Sequence, residues 1–122
     1  MSRLLFSSLI LIFMLISCRK AVPELQDFDQ AAWKDDKDGC VGNRSKMLPI
    51  IDREKEKLLA LSEVEIVGLL GTPDQRELYS RNQKFYFYSI APAPSCGAGT
   101  TGAKLVIRFN AMGLAKEVRI DK

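Results

Sequence analysis

The chain has 122 residues, with 18 Lys and Arg against 15 Asp and Glu, and a formal net charge of +3. This length suits a single domain, and a small charge without a concentrated basic patch argues against nucleic-acid binding. The absence of His removes most catalytic triads and the commonest metal ligand from consideration.

The first residues predict an export signal. Arg3 precedes an apolar run, Leu4–Ile16, which has the length of a signal-peptide core and is short for a transmembrane span. The run ends in Leu15-Ile16-Ser17-Cys18, which resembles a bacterial lipobox. The resemblance implies cleavage before Cys18 and acylation of its sulfur and of the new amino terminus. Two or three acyl chains attach a protein stably to a membrane. An ordinary signal peptide with an incidental cysteine, or an uncleaved anchor, is the alternative.

The segment after the lipobox indicates to which membrane the protein is sent and how the domain is spaced from it. Arg19 stands where an Asp would retain a lipoprotein in the inner membrane of enteric-type bacteria, so we expect an outer-membrane lipid anchor with the domain in the periplasm. Residues 24–38 hold six acids against two bases, which predicts a solvated spacer or a docking strip for a basic partner. We predict a signal peptide over residues 1–17, a lipidated Cys with an acidic tether over 18–30, and a globular α+β domain over 31–122.

Two helices are predicted in the first half of this domain, after a lone Trp33 that is typical of a residue anchoring a segment to a core. Arg44–Leu59 carries an apolar stripe at helical spacing. Pro49 is acceptable only in the first turn, so we expect the regular helix to start near Lys46–Leu48. The stretch Leu61–Pro73 contains a complete second helix. Ser62 and Glu65 form a capping box, Leu61 and Ile66 suit a hydrophobic staple, and Gly71 with Pro73 ends the helix. Val64, Val67 and Leu70 are expected on one apolar face of this helix.

Strand patterns follow Pro73. Lys84–Ile90, Lys104–Asn110 and Leu114–Ile120 alternate with a period of two, and Gln75–Tyr79 is a further, weaker candidate at an edge. The turn at Asn110–Gly113 predicts a hairpin between the last two strands. We therefore predict an α+β fold with two N-terminal helices on one face of a three-stranded antiparallel sheet. The residues expected to face the helices are Phe85, Phe87, Leu105, Ile107, Phe109, Val118 and Ile120, and those expected to face away are Tyr86, Tyr88, Arg108 and Arg119.

The order of these features resembles a known family. The capped helix ending in Leu70-Gly71-Thr72-Pro73, an aromatic strand, and Leu-x-Ile-x-Phe-Asn before a Gly turn (Leu105–Gly113) are similar to the SmpA/OmlA (BamE-like) small outer-membrane lipoproteins. The resemblance implies a two-layer fold and an accessory role in outer-membrane assembly. The same helix-helix-sheet unit occurs in β-lactamase-inhibitor-like secreted proteins, so the fold alone leaves both functions open.

Cys40 and Cys96 are predicted to form a disulfide. Both lie in Gly-flanked turns, Cys18 is assigned to lipid, and an exported domain meets an oxidising compartment. Two free thiols are the alternative, expected in a reducing compartment. We predict no metal and no cofactor beyond the acyl chains on Cys18. Two Cys without His leave a zinc site short of ligands, and the acids around Gly39 do not match an EF-hand loop.

The residues that carry chemistry in most enzymes form no recognisable motif here. A nucleophile elbow, a phosphate-binding loop and a paired carboxylate site are all missing, so we expect a protein that is not an enzyme. The predicted working surface is the outer sheet face, where Tyr86, Tyr88, Arg108 and Arg119 would form an aromatic and basic patch for an envelope protein partner. A merely amphipathic outer face is the alternative at that surface. The alternative function is a secreted-type binding or inhibitor module for a soluble protein or small ligand.

Overall fold

The computed structural model describes residues 21–97, 99 and 102–122 as an α+β domain. Its helices are α1 (Gln30–Lys34), α2 (Asn43–Lys46), α3 (Leu48–Glu54) and α4 (Glu63–Leu70). Its strands are β1 (Gln75–Tyr79), β2 (Gln83–Ser89), β3 (Lys104–Phe109) and β4 (Ala115–Asp121). The predicted signal peptide and Cys18 lie outside the described residues. Within the described part, no helix is long and apolar enough to cross a membrane.

The sheet is antiparallel throughout and has the order β1-β2-β3-β4. The sequence predicted three strands, whereas the weaker candidate at Gln75–Tyr79 is a fourth strand at the sheet edge. The predicted hairpin between β3 and β4 is confirmed. Gly113 has φ +77° and its amide donates to the Asn110 carbonyl at 2.9 Å.

The part of the chain that the structure describes contains four α-helices, whereas two were predicted. The sequence predicted one helix over Arg44–Leu59, but the chain breaks at Met47 into α2 and α3 and continues as a 3-10 turn over Lys55–Leu58. Pro49 lies in the first turn of α3, as expected from its missing amide proton. The additional helix, α1, has five residues, which is too short for a periodic pattern in the sequence to predict it.

The capped helix α4 forms as predicted. The Ser62 hydroxyl accepts from the Glu65 amide at 3.2 Å, the Glu65 carboxylate accepts from the Ser62 amide at 3.1 Å, and Gly71 has φ +79°. The staple residues Leu61 and Ile66 are both buried. The buried face consists of Ile66, Leu69 and Leu70, while Val64, which was expected on the apolar stripe, is 82% exposed.

The packed body starts earlier in the chain than residue 31. Leu25 is 3% exposed and belongs to the same core as Trp33, which is fully buried as predicted for an anchor. The Gln26 amide donates to the Glu54 carboxylate at 3.4 Å, and Arg53 donates to the Gln26 carbonyl at 3.1 Å. The second half of the predicted tether is therefore fixed against α3 and forms part of the fold.

The predicted disulfide is confirmed. Cys40 and Cys96 are bonded, their Cα atoms are 5.5 Å apart, and their sequence separation is 56 residues. The bond joins the turn before α2 to the loop after β2. A cross-link of this span stabilises a small domain by about 2–4 kcal/mol, mainly by restricting the unfolded chain.

Glu54 provides a pH-dependent test of how the N-terminal segment is fixed. Hydrogen bonds from Lys57 and then Arg53 lower the pKa of Glu54 from 4.5 to about 2. A carboxyl whose pKa is lower in the folded state adds stability above its unfolded pKa, and that stability is lost as the pH falls through the folded pKa. We expect the stability difference between the wild type and Glu54→Gln to shrink as the pH falls from about 4.5 to about 2.

Urea denaturation at a series of pH values measures this difference. Glu56→Gln is the matched control, because Glu56 is exposed on the neighbouring turn. A difference between wild type and Glu54→Gln that does not change with pH would show that Glu54 is not held by these cations in solution.

Candidate functional site: the open face of the sheet

The two faces of the sheet differ in what covers them. The helices pack on one face, and its central residues are the buried Tyr86, Tyr88, Leu105, Ile107 and Phe109. The opposite face, here called the open face, has no described helix over it. Its side chains come from alternate positions of all four strands: Gln75, Glu77, Tyr79, Gln83, Phe85, Phe87, Ser89, Lys104, Val106, Arg108, Glu117, Arg119 and Asp121.

The face assignment of β2 differs from the sequence prediction. Tyr86 and Tyr88 were expected to face away from the helices, but their residues are only 5% and 0% exposed on the helix-covered side. Phe85 and Phe87 were expected in the core, and both lie half-buried on the open face. The assignments of Leu105, Ile107, Phe109, Val118 and Ile120 to the helix side, and of Arg108 and Arg119 to the other, are confirmed.

Hydroxyl groups explain why the tyrosines face inwards. The Tyr86 hydroxyl donates to Glu63 at 2.7 Å, and the Tyr88 hydroxyl donates to the Gly71 carbonyl at 2.8 Å. Burial, followed by the hydrogen bond to Glu63, raises the pKa of Tyr86 to about 12, and burial likewise raises the pKa of Tyr88. A buried Tyr is stable when its ring is packed and its hydroxyl has a partner, and α4 supplies a partner at each of its ends.

Aromatic rings form one half of the open face. Tyr79 and Phe85 meet edge to face with ring centroids 4.8 Å apart, and Phe85 stacks on Phe87 at 6.3 Å. The Lys104 ammonium lies 5.5 Å from the Phe87 ring centroid, within the range of a cation–π contact. This stripe crosses β1 and β2, and Tyr79 at its end is 53% exposed.

Paired charges form the other half. Arg119 contacts Glu117 at 2.8 Å and Asp121 at 2.9 Å, while Arg108 contacts Glu117 at 3.1 Å. The hydrogen bonds from Arg119 and then Arg108 lower the pKa of Glu117, and those from Asp121 and then Glu117 raise the pKa of Arg119. These pairs are partly exposed, so each contributes little to stability, and together they present alternating charge beside the aromatic stripe.

Val106 lies at the centre of the open face and is fully buried. Its cross-strand neighbours are Phe87 and Arg119, one from each half of the surface. The ring and the apolar part of the Arg side chain can cover a small residue between them. The open face is therefore a packed surface with an apolar centre. A cavity of about 240 Å³ opens at one end of it, lined in part by Gln75, Ser89 and Lys104.

The remaining sequence-predicted residues lie elsewhere. Cys40 and Cys96 are bonded between the turn before α2 and the loop after β2. Three of the six acids of residues 24–38 have side-chain partners, and two of these are Asp29, which caps α1, and Asp27, which contacts Arg53. Asp36 is buried and accepts from two backbone amides. Among the described residues, no three His, Cys, Asp or Glu side chains are grouped closely enough to hold a metal ion.

An aromatic and basic patch on the outer face is predicted from the sequence, but the aromatic residues there are Phe85 and Phe87 instead of Tyr86 and Tyr88, and Val106 was not singled out. A signal for the stripe existed, because β2 reads Phe-Tyr-Phe-Tyr and one pair of aromatics had to face outwards in any register. Comparisons with protein-family profiles, with curated proteins and with solved structures give no significant match.

Removal of a tyrosine ring tests the face assignment directly. Tyr88→Ala empties a fully buried site and leaves the Gly71 carbonyl without its donor, so we expect a loss of about 3–5 kcal/mol in unfolding free energy. Tyr79→Ala, at an exposed ring of the open face, is expected to cost less than about 1 kcal/mol. Chemical denaturation of both variants measures the two values. Equal losses would place both rings in equivalent environments and contradict the assignment.

Proposed function

We propose that this chain is a lipid-anchored, non-catalytic lipoprotein of the bacterial envelope that binds an envelope protein through its open face. The observation that carries the proposal is the composition of that face, since aromatic rings with Arg side chains around a desolvated apolar centre are typical of protein-binding surfaces. A docked partner would bury Tyr79, Phe85 and Phe87 further and leave the charge pairs at the rim.

The lipid anchor is supported by the motif Leu15-Ile16-Ser17-Cys18, and the short distance from Cys18 to the packed body indicates how such an anchor would hold the domain. Only six residues separate Cys18 from the buried Leu25, a span of at most about 25 Å when fully extended. The chain then contacts α3, which is on the helix-covered side of the sheet. An anchor attached at that point would hold the domain close to the bilayer and leave the open face accessible on the opposite side.

The disulfide supports the expected compartment. Structural disulfides persist in the periplasm and outside the cell and are rare in the cytosol, so the bonded Cys40 and Cys96 fit an exported domain. The SmpA/OmlA-like pattern of Leu61–Pro73 and Leu105–Gly113 supports an accessory role in outer-membrane assembly, within a two-layer unit elaborated by extra helices and an edge strand.

The lipid modification predicts a defined mass and a defined location. Protein extracted from membranes with mild detergent should begin at Cys18 and carry the added mass of its acyl chains. Cys18→Ala should move to the soluble fraction or keep its signal peptide, because no sulfur remains to be acylated. Ser17→Ala is the control, since it keeps a small residue before the cleavage position. An unmodified mass for the wild type would contradict the anchor.

Site-specific photocrosslinking tests the open face. A photoreactive residue placed at Phe85 in the membrane-anchored chain should give one discrete adduct with an outer-membrane protein. The same residue at Lys46, which is exposed on the helix-covered side, should not. Arg119→Glu reverses a charge at the rim and should lower the yield of the Phe85 adduct.

Two outcomes would contradict this docking surface. If Lys46 gives the adduct and Phe85 does not, the helices form the interface. If Phe85 crosslinks only to a soluble protein, the chain functions as a secreted-type binding or inhibitor module. Washing of membranes that carry the wild-type chain distinguishes that case. A soluble partner would leave the membranes without detergent, whereas an outer-membrane protein would need detergent to be extracted.

A further inference from the structure

The outer edge of β1 is the least covered strand edge of the sheet. All five of its residues are exposed, and its order in the sheet gives it one neighbour, β2. The other terminal strand, β4, is covered where it begins, because the Ala60 amide donates to the Ala115 carbonyl and the Ala115 amide donates to the Leu61 carbonyl, both at 2.8 Å. An edge strand presents unpaired backbone amides and carbonyls that can pair with another chain.

A cavity of about 260 Å³ opens beside this edge, on the helix-covered side. Arg76 and Leu78 of β1 point to that side, because they pair with Tyr86 and Lys84 of β2. The cavity lies between β1 and the start of α4, and it is lined by Glu63, Arg76, Glu77, Leu78, Lys84 and Tyr86. A chain added along β1 would therefore pass the mouth of the cavity with every second side chain directed towards it.

The cavity is lined by two acids and two bases, and Arg76 is the base that has no ion pair among the described residues. Glu63 is engaged, since it accepts from the Tyr86 hydroxyl at 2.7 Å and contacts Lys84 at 3.3 Å. The Arg76 guanidinium lies 5.3 Å over the Tyr86 ring and makes no ion pair with any described residue. A guanidinium held on a ring with its donors free is suited to bind a carboxylate through two parallel hydrogen bonds.

We propose that the outer edge of β1 docks an extended, acidic segment of a partner protein, which adds to the sheet as a fifth strand and places a carboxylate at Arg76. Backbone hydrogen bonds to β1 supply affinity, and the Arg76 contact selects an acidic residue at one position. The inference depends neither on the anchor at Cys18 nor on the partner of the open face.

A second copy of this chain is a poorer occupant of the same edge. Antiparallel pairing of two β1 strands about their midpoint places Glu77 directly opposite Glu77. A shift that keeps the faces matched and moves the centre to Arg76 opposes Arg76 with Arg76. A shift of the centre to Leu78 avoids both conflicts, but it leaves Arg76 opposite a residue outside the strand, so fewer strand residues pair. Like charges directly opposite each other destabilise a strand pair. An acidic strand from another protein meets Arg76 without either conflict.

Short synthetic peptides test the proposal on the full chain in detergent micelles. A capped, fluorescently labelled peptide of alternating Thr and Val carries one central Glu, and a matched peptide carries Lys there. We expect the wild type to bind the Glu peptide about tenfold or more tightly than the Lys peptide, as measured by anisotropy. Hydrogen exchange should slow at amides of β1 when the Glu peptide is bound, since strand addition pairs them.

Charge reversal separates specific pairing from general attraction. Arg76→Glu should weaken binding of the Glu peptide about tenfold or more and strengthen binding of the Lys peptide. Lys116→Glu is the control, because it makes the same charge change at an exposed position of β4 and should alter neither affinity by more than about twofold. Equal affinities of the wild type for the two peptides, or slowed exchange outside β1 only, would overturn the proposal. A dimeric mass in solution, together with β1 amides that already exchange slowly without peptide, would also overturn the proposal, because a second copy of the chain would then occupy the edge.

Discussion

A buried ion pair between Arg44 and Asp74 connects the helices to the sheet. The two side chains are each 2% exposed, and the guanidinium meets the carboxylate at 2.6 Å. Arg44 also donates to the Trp33 carbonyl at 2.9 Å and to the Ser89 carbonyl at 3.1 Å, so one side chain joins α1, α2 and the end of β2. Loss of either partner would leave a buried charge uncompensated, which typically costs about 3–5 kcal/mol. The placement of α1 and α2 against the end of β2 depends on this contact.

Carboxylates also complete the hydrogen bonding of the irregular turn between α1 and α2. Asp36 accepts from the amides of Val41 and Arg44, and Asp74 accepts from those of Asp38 and Ser89. The carboxylates take the place of backbone carbonyls as acceptors for these amides, and buried amides without acceptors would destabilise the fold. The disulfide from Cys40 holds the same turn against the loop after β2. The turn contains only a short 3-10 segment, Lys37–Gly39, and it is held by these side-chain hydrogen bonds and by the disulfide.

Local features of this fold were predictable and distant ones were not. The capping box at Ser62 and the turn at Gly113 depend on residues within four positions of each other, so the sequence contains the whole signal. The burial of Arg44 depends on Asp74, which is 30 residues away, so no local pattern around Arg44 predicts that it is buried. The faces of β2 were predicted wrongly because both alternating sets are aromatic and the long loop of residues 90–103 does not fix the register with β3.

The open face owes its aromatic character to the polar ends of α4. The Gly71 carbonyl and the Glu63 carboxylate both lie over β2, and each takes a hydrogen bond from a tyrosine hydroxyl. If phenylalanines faced the helices instead, both acceptors would lose their donors in a partly buried environment, at a cost of about 1–3 kcal/mol each. The tyrosines are therefore selected for the inner side, and the phenylalanines remain for the outer one. An aromatic outer face thus follows from the requirement that the polar groups at both ends of a short helix have hydrogen-bond partners.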